Sequence, residues 1–456
     1  MAAGSPALTL ARLRELVESR DVDTVIVAFT DVQGRLAGKR IHAPYFLDEV
    51  QEHGTEACNY LLAVDVDMNT VDGYAMSSWE KGYGDFLLKP DMSTLRPAAW
   101  LPATAMVQAD VLWLDGTPVR QSPRQILQAQ VLRAVDHNVD VLAGTELEFL
   151  VFDDSYEQAW DARYRNLTPS NRYNVDYSIL GGGRVEPLLR DLRNAMFASG
   201  LTVESAKGEC NYGQHEIAFK YDQAIVTADN HVVYKTAAKE IAAKHGKSLT
   251  FISKFDEREG NSCHIHLSLR GRPDDVPVFA SSSMGDGRSE TFHRFVAGVL
   301  ATMREFTLLY APNVNSYKRF QPDSFAPTTV AWGEDNRTCA VRVIGRGPSL
   351  RLENRVPGGD VNPYLALAAM IAGGLHGVET ELPRQEPFKG NAYKAGRSQV
   401  PSSLRVARDL FATSDVARKA FGDDVVAHYV NAADVELRAF DRAVTDWELR
   451  RGFERL

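Results

Sequence analysis

Polar residues recur at a spacing of two inside apolar, β-prone stretches of this chain. In NSCHIHLSL, residues 261–269, His264 and His266 are separated by one residue. A strand points both imidazoles to the same face, and either a buried structural pair or a metal and ligand site produces that pattern. In VDVLAGTELEFLVF, residues 139–152, Glu146 and Glu148 alternate with Leu147 and Phe149. Two bare carboxylates side by side repel and raise each other's pKa unless a cation sits between them. The rest of that strand is apolar on both faces, so the pair is expected to be buried, where unpaired charge is costly. In KGECNYGQHEIAF, residues 207–219, a glycine-centred turn brings Glu209 and Glu216 together. In RLENR, residues 351–355, Arg351, Glu353 and Arg355 share a strand face, with Arg319, Arg337 and Arg342 not far away in sequence. Any one of these could be a solvated charged face. Together they form an oxygen-rich set with an imidazole, which suits Mg²⁺ or Mn²⁺ rather than zinc or copper. Arginine forks match carboxylates and phosphates, so the combination suggests phosphoryl transfer. The chain has no G-x-x-x-x-G-K-[ST] loop and no kinase glycine loop, so nucleotide must bind by another scheme.

The elements that position these residues follow from periodicity and turn chemistry. Thr9 caps a short helix to about Ser19, and Thr24–Thr30 reads as a strand that turns at Asp31-Val32-Gln33-Gly34 and returns to Ile41. Residues 60–95, containing Asp65, Asp67, Asp72, Trp79, Glu80 and Asp85, read as loops over a sheet. A strand pair, Thr104–Leu112 and Thr117–Val119, precedes a helix that starts at Pro123. The boundary near 115–122 divides the chain into domains 1–118 and 119–456. In the second, strands carry the chemical residues, and helices are expected over 186–198, 224–243, 293–310, 364–378 and, longest of all, 425–451.

Composition limits the partners. A chain of 456 residues, 44% hydrophobic, can bury a large core. Its net charge of −9, with no basic stripe interleaved with aromatics, gives no nucleic-acid footprint. Cys58, Cys210, Cys263 and Cys339 show no C-x-x-C spacing, which favours reduced thiols and a cytoplasmic location. The amino terminus lacks a leader pattern and no run of about 18 apolar residues occurs, so no membrane role is expected.

The motifs GTELEFLVF, GECNYGQHEI, NSCHIHLSL, NSYKRFQP, NRTCAVR and LRLENRVPGGDVNPYLALAAM resemble, in order, those of type I glutamine synthetases. The resemblance implies an α+β fold with a small N-terminal β-grasp domain and a large catalytic domain built on an antiparallel barrel-like sheet and helices. It also implies a dodecamer of two hexameric rings, with each active site between neighbours. Glu148, Glu209 and Glu216 would hold one Mg²⁺ or Mn²⁺, and Glu146, His264 and Glu353 the second. Tyr221, His266 and Ser268 would line the ATP pocket, with Arg342 and Arg351 on its phosphates. Gly260, Arg319 and Arg355 would bind L-glutamate, and Arg337 and Arg355 would stabilise the transferring phosphoryl group. ATP would phosphorylate the γ-carboxylate, and an amine would then displace phosphate.

Departures from the family pattern bear on that amine. The Asp-Gly-Ser-Ser stretch of ammonium-using members is absent, leaving Asp67 or Asp72 as counterparts with Trp79 nearby. The flap glutamate is replaced by Phe325 in QPDSFAP, and Glu259 stands before Gly260 where asparagine is usual. An apolar ring disfavours a small cation and accommodates a bulkier amine. The chain resembles the γ-glutamyl-amine ligase branch, which implies ethanolamine as acceptor, with a polyamine such as putrescine next. Asp67, Asp72, Glu80 and Asp85 could form an acidic entry for a polyamine. An ammonium-using glutamine synthetase and a catalytically silent structural or regulatory relative are the alternatives. Tyr393, in GNAYKAG, lacks the motif of the family's adenylylated tyrosine, and adenylylation is not expected.

Overall fold

The structure, a computed structural model, describes residues 8–456. The reading of the first seven residues as part of a leaderless terminus lies outside them. Two sheets organise the chain. The first contains β1 (Thr24–Thr30), β2 (Leu36–His42), β3 (Thr55–Cys58), β4 (Asp85–Pro90), β5 (Arg96–Pro97) and β6 (Thr104–Leu112), in the order β2-β1-β6-β4-β3 with β5 also on β6. β1 and β6 run parallel at its centre, and the β1–β2 hairpin is antiparallel. Asp31 builds the hairpin turn: Oδ1 accepts from the backbone N–H of Gln33 and Arg35 at 3.0 and 2.8 Å, and Gly34 supplies the φ of +80°.

The second sheet contains β7 (Val139–Phe152), β8 (Val203–Gly208), β9 (Gln214–Phe219), β10 (Asp222–Gln223), β11 (Ser248–Thr250), β12 (Cys263–Gly271), β13 (Val276–Pro277), β14 (Trp332–Glu334), β15 (Val341–Ile344) and β16 (Arg351–Asn354). Its main path is β14-β15-β16-β12-β7-β9-β8. The sheet is antiparallel except for the β14–β15 pair, which is parallel, so it is mixed rather than purely antiparallel.

Helices cover the sheet. Pro363–Glu379, buried along nearly its whole length, crosses Glu290–Thr302 where Gly298 meets Gly373 and Gly377. A Cβ on Gly298 would lie 2.1 Å from the Gly373 carbonyl, so only glycine permits that approach. Buried Arg124 joins the two sheets' regions. It bonds Asp91 and Asp110 from the first at 2.7 and 2.5 Å, and Asp229 in helix Ala224–Lys244 at 3.0 Å.

Four expectations are corrected. β4 lies within the stretch read as loops: Phe86, Leu88 and Pro90 are buried alternately, and pairing with β3 and β6 stabilises a strand too short to stand out. Thr117–Val119 is no strand, contributing only a single bridge from Pro118 to Leu112. The helix expected over 293–310 is interrupted after Thr302, whose hydroxyl bonds back to the Gly298 carbonyl at 2.9 Å, and resumes as Thr307–Tyr310. The carboxy-terminal helix ends at Arg442, and a Thr445–Glu448 capping box begins a separate one, Asp446–Gly452.

Candidate active site

Register brings the spaced pairs together. Along β7, Glu146 stands opposite His264 of β12, and Glu148 stands opposite Glu216 of β9. On the other side of β12, His266 pairs with Glu353 of β16, which in turn pairs with Arg342 of β15. Directly opposed residues in antiparallel strands have Cβ atoms about 5 Å apart, so five strands deliver these residues to one face. Glu209 follows β8 at the turn whose Gly213 has φ +74°, and a Cβ there would lie 2.6 Å from the Val151 carbonyl.

That face lines a cleft of about 620 Å³ whose wall includes Glu146, Glu148, Glu209, Glu216, His264 and Glu353. Gly260, Phe325, Arg337, Arg342, Arg351 and Arg355 also line it. A second chamber of about 470 Å³ holds Tyr221 and Ser268 and shares Glu146, His266 and Arg351 with the first. Two chambers with a common wall of metal-type ligands can hold a nucleotide on one side and its phosphoryl acceptor on the other.

The carboxylates form two groups of different character. Glu148, Glu209 and Glu216 offer oxygens that lie within 4.8 Å of one another. Burial, and then Glu209, push Glu148 up to about 8, although the Ser262 N–H donates to it at 2.7 Å. Burial raises Glu216 well above the usual carboxylate range, helped by Glu146 and Glu148. Burial also raises Glu209, against the pull of its ion pair with Lys207. Three facing carboxylates that resist ionisation fit a site for a hard divalent cation.

The second group is held ionised. Burial tends to raise Glu146, but His264 and His266 outweigh it and hold it far below its ordinary value. Glu353, with no exposed side-chain surface, accepts from Arg355 at 2.6 Å and from Arg342 at 3.1 Å. Although burial acts to raise it, its cationic neighbours keep it low. Arg351 Nε donates to His266 Nδ1 at 3.3 Å, which leaves His266 Nε2–H to face Glu146 Oε1 at 2.9 Å. His264 turns Nδ1 to Glu146 and Glu353, at 3.4 and 3.5 Å, and its buried Nε2 has no partner among the described residues. Burial and then Arg355 push His264 down to about 4, keeping it a neutral lone-pair donor. A cation there fits Glu146, Glu353 and His264. By the separation of ligand atoms it is His266, rather than His264, that groups with those two glutamates, so the imidazole expected on the nucleotide side stands equally near that position.

Other expected residues are distributed unevenly. Gly260 lines the cleft, whereas Arg319 lies behind the wall, donating to the Pro357 carbonyl at 2.8 Å and to that of Val356. A Cβ on Gly260 would meet the Ser253 carbonyl at 2.2 Å and Arg319 Cγ at 2.9 Å, so the two are packed as a unit. Phe325 is on the wall, 58% exposed. Asp67, Asp72 and Trp79 do not reach the cleft of their own chain. Their segment is tied to helix Asp423–Arg442, where Asn431 donates to the Asp72 carbonyl at 3.0 Å and Tyr74 stacks on His428 at 4.6 Å. Trp79 instead packs on Tyr83 and is 72% exposed.

Two residues escaped the sequence reading. Gln214 Nε2 donates to Glu148 at 3.1 Å and to the Gly260 carbonyl and Asn261 Oδ1, both at 3.0 Å, joining metal-type and substrate-type walls. Its spacing of two from Glu216 was the available signal. Lys207, two residues before Glu209, was legible by the same rule.

Residues 120–452 match the family model described as glutamine synthetase, catalytic domain. The chain is 63% identical over 99% of its length, and 97% of the relative's, to gamma-glutamylethanolamide synthetase GlnA4 of Streptomyces coelicolor. It is 36% identical to a glutamate–isopropylamine ligase of a Pseudomonas species, over 97% of each chain. A solved structure of GmaS in complex with ADP superposes with a TM-score of 0.84 at 26% identity, covering 97% of this chain and 99% of that one. With the ordered motifs, the two-chambered cleft and these likenesses in agreement, the chain belongs to the glutamine synthetase family.

Proposed function

We propose that the protein is an ATP-dependent carbon–nitrogen ligase of the γ-glutamyl-amine branch. It joins the γ-carboxyl of L-glutamate to a small primary amine, ethanolamine first and a polyamine such as putrescine next. The observation that carries this reading is the composition of the cleft wall. The carboxylates and arginines assigned to phosphoryl transfer line the cleft, together with an aromatic ring, Phe325, at the position where the resemblance implies a flap carboxylate in ammonium-using members. The 63% identity to a γ-glutamylethanolamide synthetase supports ethanolamine as the acceptor.

In this reading residues 1–118 are the β-grasp domain and 119–456 the catalytic domain. Tyr221, His266 and Ser268 hold the nucleotide in the smaller chamber, and Arg342 and Arg351 meet its phosphates. Gly260, braced by Arg319, and Arg355 orient glutamate so that its γ-carboxylate faces the terminal phosphoryl group. Arg337 and Arg355 neutralise charge on the group in flight. Glu148, Glu209 and Glu216 would hold one Mg²⁺ or Mn²⁺ and Glu146, His264 and Glu353 another, together supplying fixed positive charge beside the phosphates. The amine nitrogen then attacks the acyl carbon of γ-glutamyl phosphate, the bond from that carbon to the phosphate oxygen breaks, and phosphate leaves. Asp67, Asp72 and Trp79 meet an amine only across a subunit boundary, in a two-ring dodecamer. Four free thiols suit a cytoplasmic location.

Phosphate release measured with ATP, glutamate and a panel of amines tests the proposal. Ethanolamine should exceed ammonium by at least about ten-fold in kcat/KM. Turnover with ammonium alone would return the protein to glutamine synthesis, and no metal-dependent turnover with any acceptor would make it a silent relative.

A further inference from the structure

Phe325 stands on a partition. It and Arg337 line both the reaction cleft and an outer, more open cavity of about 640 Å³ that Asp335, Phe388 and Gly390 also border. The loop that carries it is not held by regular structure. Asp323 and Phe325 both adopt left-handed backbone, φ +60° and +56°, which a bulky side chain takes only where its surroundings impose it. Two groups do so. Arg355 Nη2 donates to the Phe325 carbonyl at 3.4 Å while its Nη1 holds Glu353. Tyr393 Oη donates to the Ala326 carbonyl at 2.9 Å. The segment bearing Tyr393 is itself clamped to the strand region beyond the loop. Thr329 Oγ1 donates to the Ala392 carbonyl at 2.8 Å, the Ala392 N–H donates to Thr338 Oγ1 at 2.9 Å, and Thr329 bridges to Gln399. Tyr393 is thus fixed at its base and reaches across to the strained turn. Burial pushes its hydroxyl up to about 12, so it remains a donor throughout the working pH range.

We propose that Tyr393 is a positioning residue for acceptor selection: through Ala326 it holds Phe325 in the partition, where the ring favours the amine over water at the acyl phosphate. The inference rests on the ligase reading above. If the loop relaxes, water replaces the amine. Its oxygen bonds to the acyl carbon, the bond from that carbon to the phosphate oxygen breaks, and glutamate carboxylate and hydrogen phosphate are released, one proton of the water ending on the phosphate and the other in solvent. ATP is then spent without amide.

Tyr393→Phe removes only the hydroxyl. With saturating ATP and glutamate, the ratio of γ-glutamyl amide formed to phosphate released should fall at least about two-fold from the native value, and KM for the amine should rise about five-fold while KM for ATP is kept. The melting temperature should stay within about 2 °C of native. A native amide-to-phosphate ratio and a native amine KM in Y393F would overturn the proposal. So would a large fall in melting temperature with uniform losses towards all three substrates, which would assign the hydroxyl to the fold alone. Failure of the native protein to use any amine would instead count against the ligase reading.

Discussion

At the residue scale, the cleft divides its acids by what surrounds them. Glu146 and Glu353 are kept ionised by imidazole and guanidinium groups, whereas burial raises Glu148 and Glu216. Glu148, at about 8 in the fold against 4.5 ordinarily, contributes stability to the metal-free protein that is complete below 4.5 and lost as pH climbs through about 8. A divalent cation must displace the protons that Glu148 and Glu216 hold, so Mn²⁺ affinity at this site should rise between pH 6.5 and 8 with proton release, by up to about ten-fold per pH unit for each proton displaced. Buried His264, pushed down to about 4, is already neutral across that window and adds no slope of its own. Calorimetric Mn²⁺ titrations in buffers of different ionisation enthalpy check this, and a pH-independent affinity without proton release would refute it. The types and spacing of these acids were legible in the sequence because strand geometry converts a period of two into a shared face. The split between raised and lowered was not, since it depends on which neighbours reach each oxygen.

At the scale of elements, the strands bearing chemistry were readable because an apolar strand with alternating acids has few other interpretations. Secondary structure that depends on partners was less legible. β4 became a strand by pairing with β3 and β6, and the helix expected over 293–310 broke where Thr302 bonds back to Gly298. Gly298 also sets the closest approach of the helices that support the sheet. Gly298→Ala should therefore separate them and cost about 1–3 kcal/mol of stability. Urea denaturation would report that loss, and KM for ATP and glutamate should be kept, because the crossing does not line the cleft. An unchanged midpoint would mean the helices part without strain.

For the whole molecule, the joint between the two sheets' regions is polar as well as apolar. Arg124 satisfies Asp91, Asp110 and Asp229 at once, and Tyr364 Oη donates to Asp229 at 2.6 Å. Asn362, which caps helix Pro363–Glu379, donates to the Asp31 carbonyl at 3.1 Å, so the hairpin turn rests on the start of that helix. Separate contacts, from Asn431 to the Asp72 carbonyl and from His428 to Tyr74, tie the 60–85 segment to Asp423–Arg442. If Asp67, Asp72 and Trp79 serve an amine from a neighbouring chain, activity should depend on assembly. On graded dissociation by dilute urea, amine-dependent turnover should fall by at least about ten-fold in step with the large species seen by analytical ultracentrifugation. A dissociated chain with native turnover would remove those three residues from the acceptor site.

The sequence by itself determined the chemistry available, an oxygen-rich set of candidate metal ligands and arginines suited to phosphates, while the phenylalanine in place of a flap carboxylate was read through the resemblance to type I glutamine synthetases. Residue type and a period of two are local properties, and local geometry is enough to read them. Only the tertiary structure decided that Arg319 braces Gly260 from behind, that Gln214 joins two walls, and that Phe325 occupies a partition pinned by Tyr393. Each depends on contacts between residues distant along the chain, which strand register and loop packing establish and no local pattern encodes.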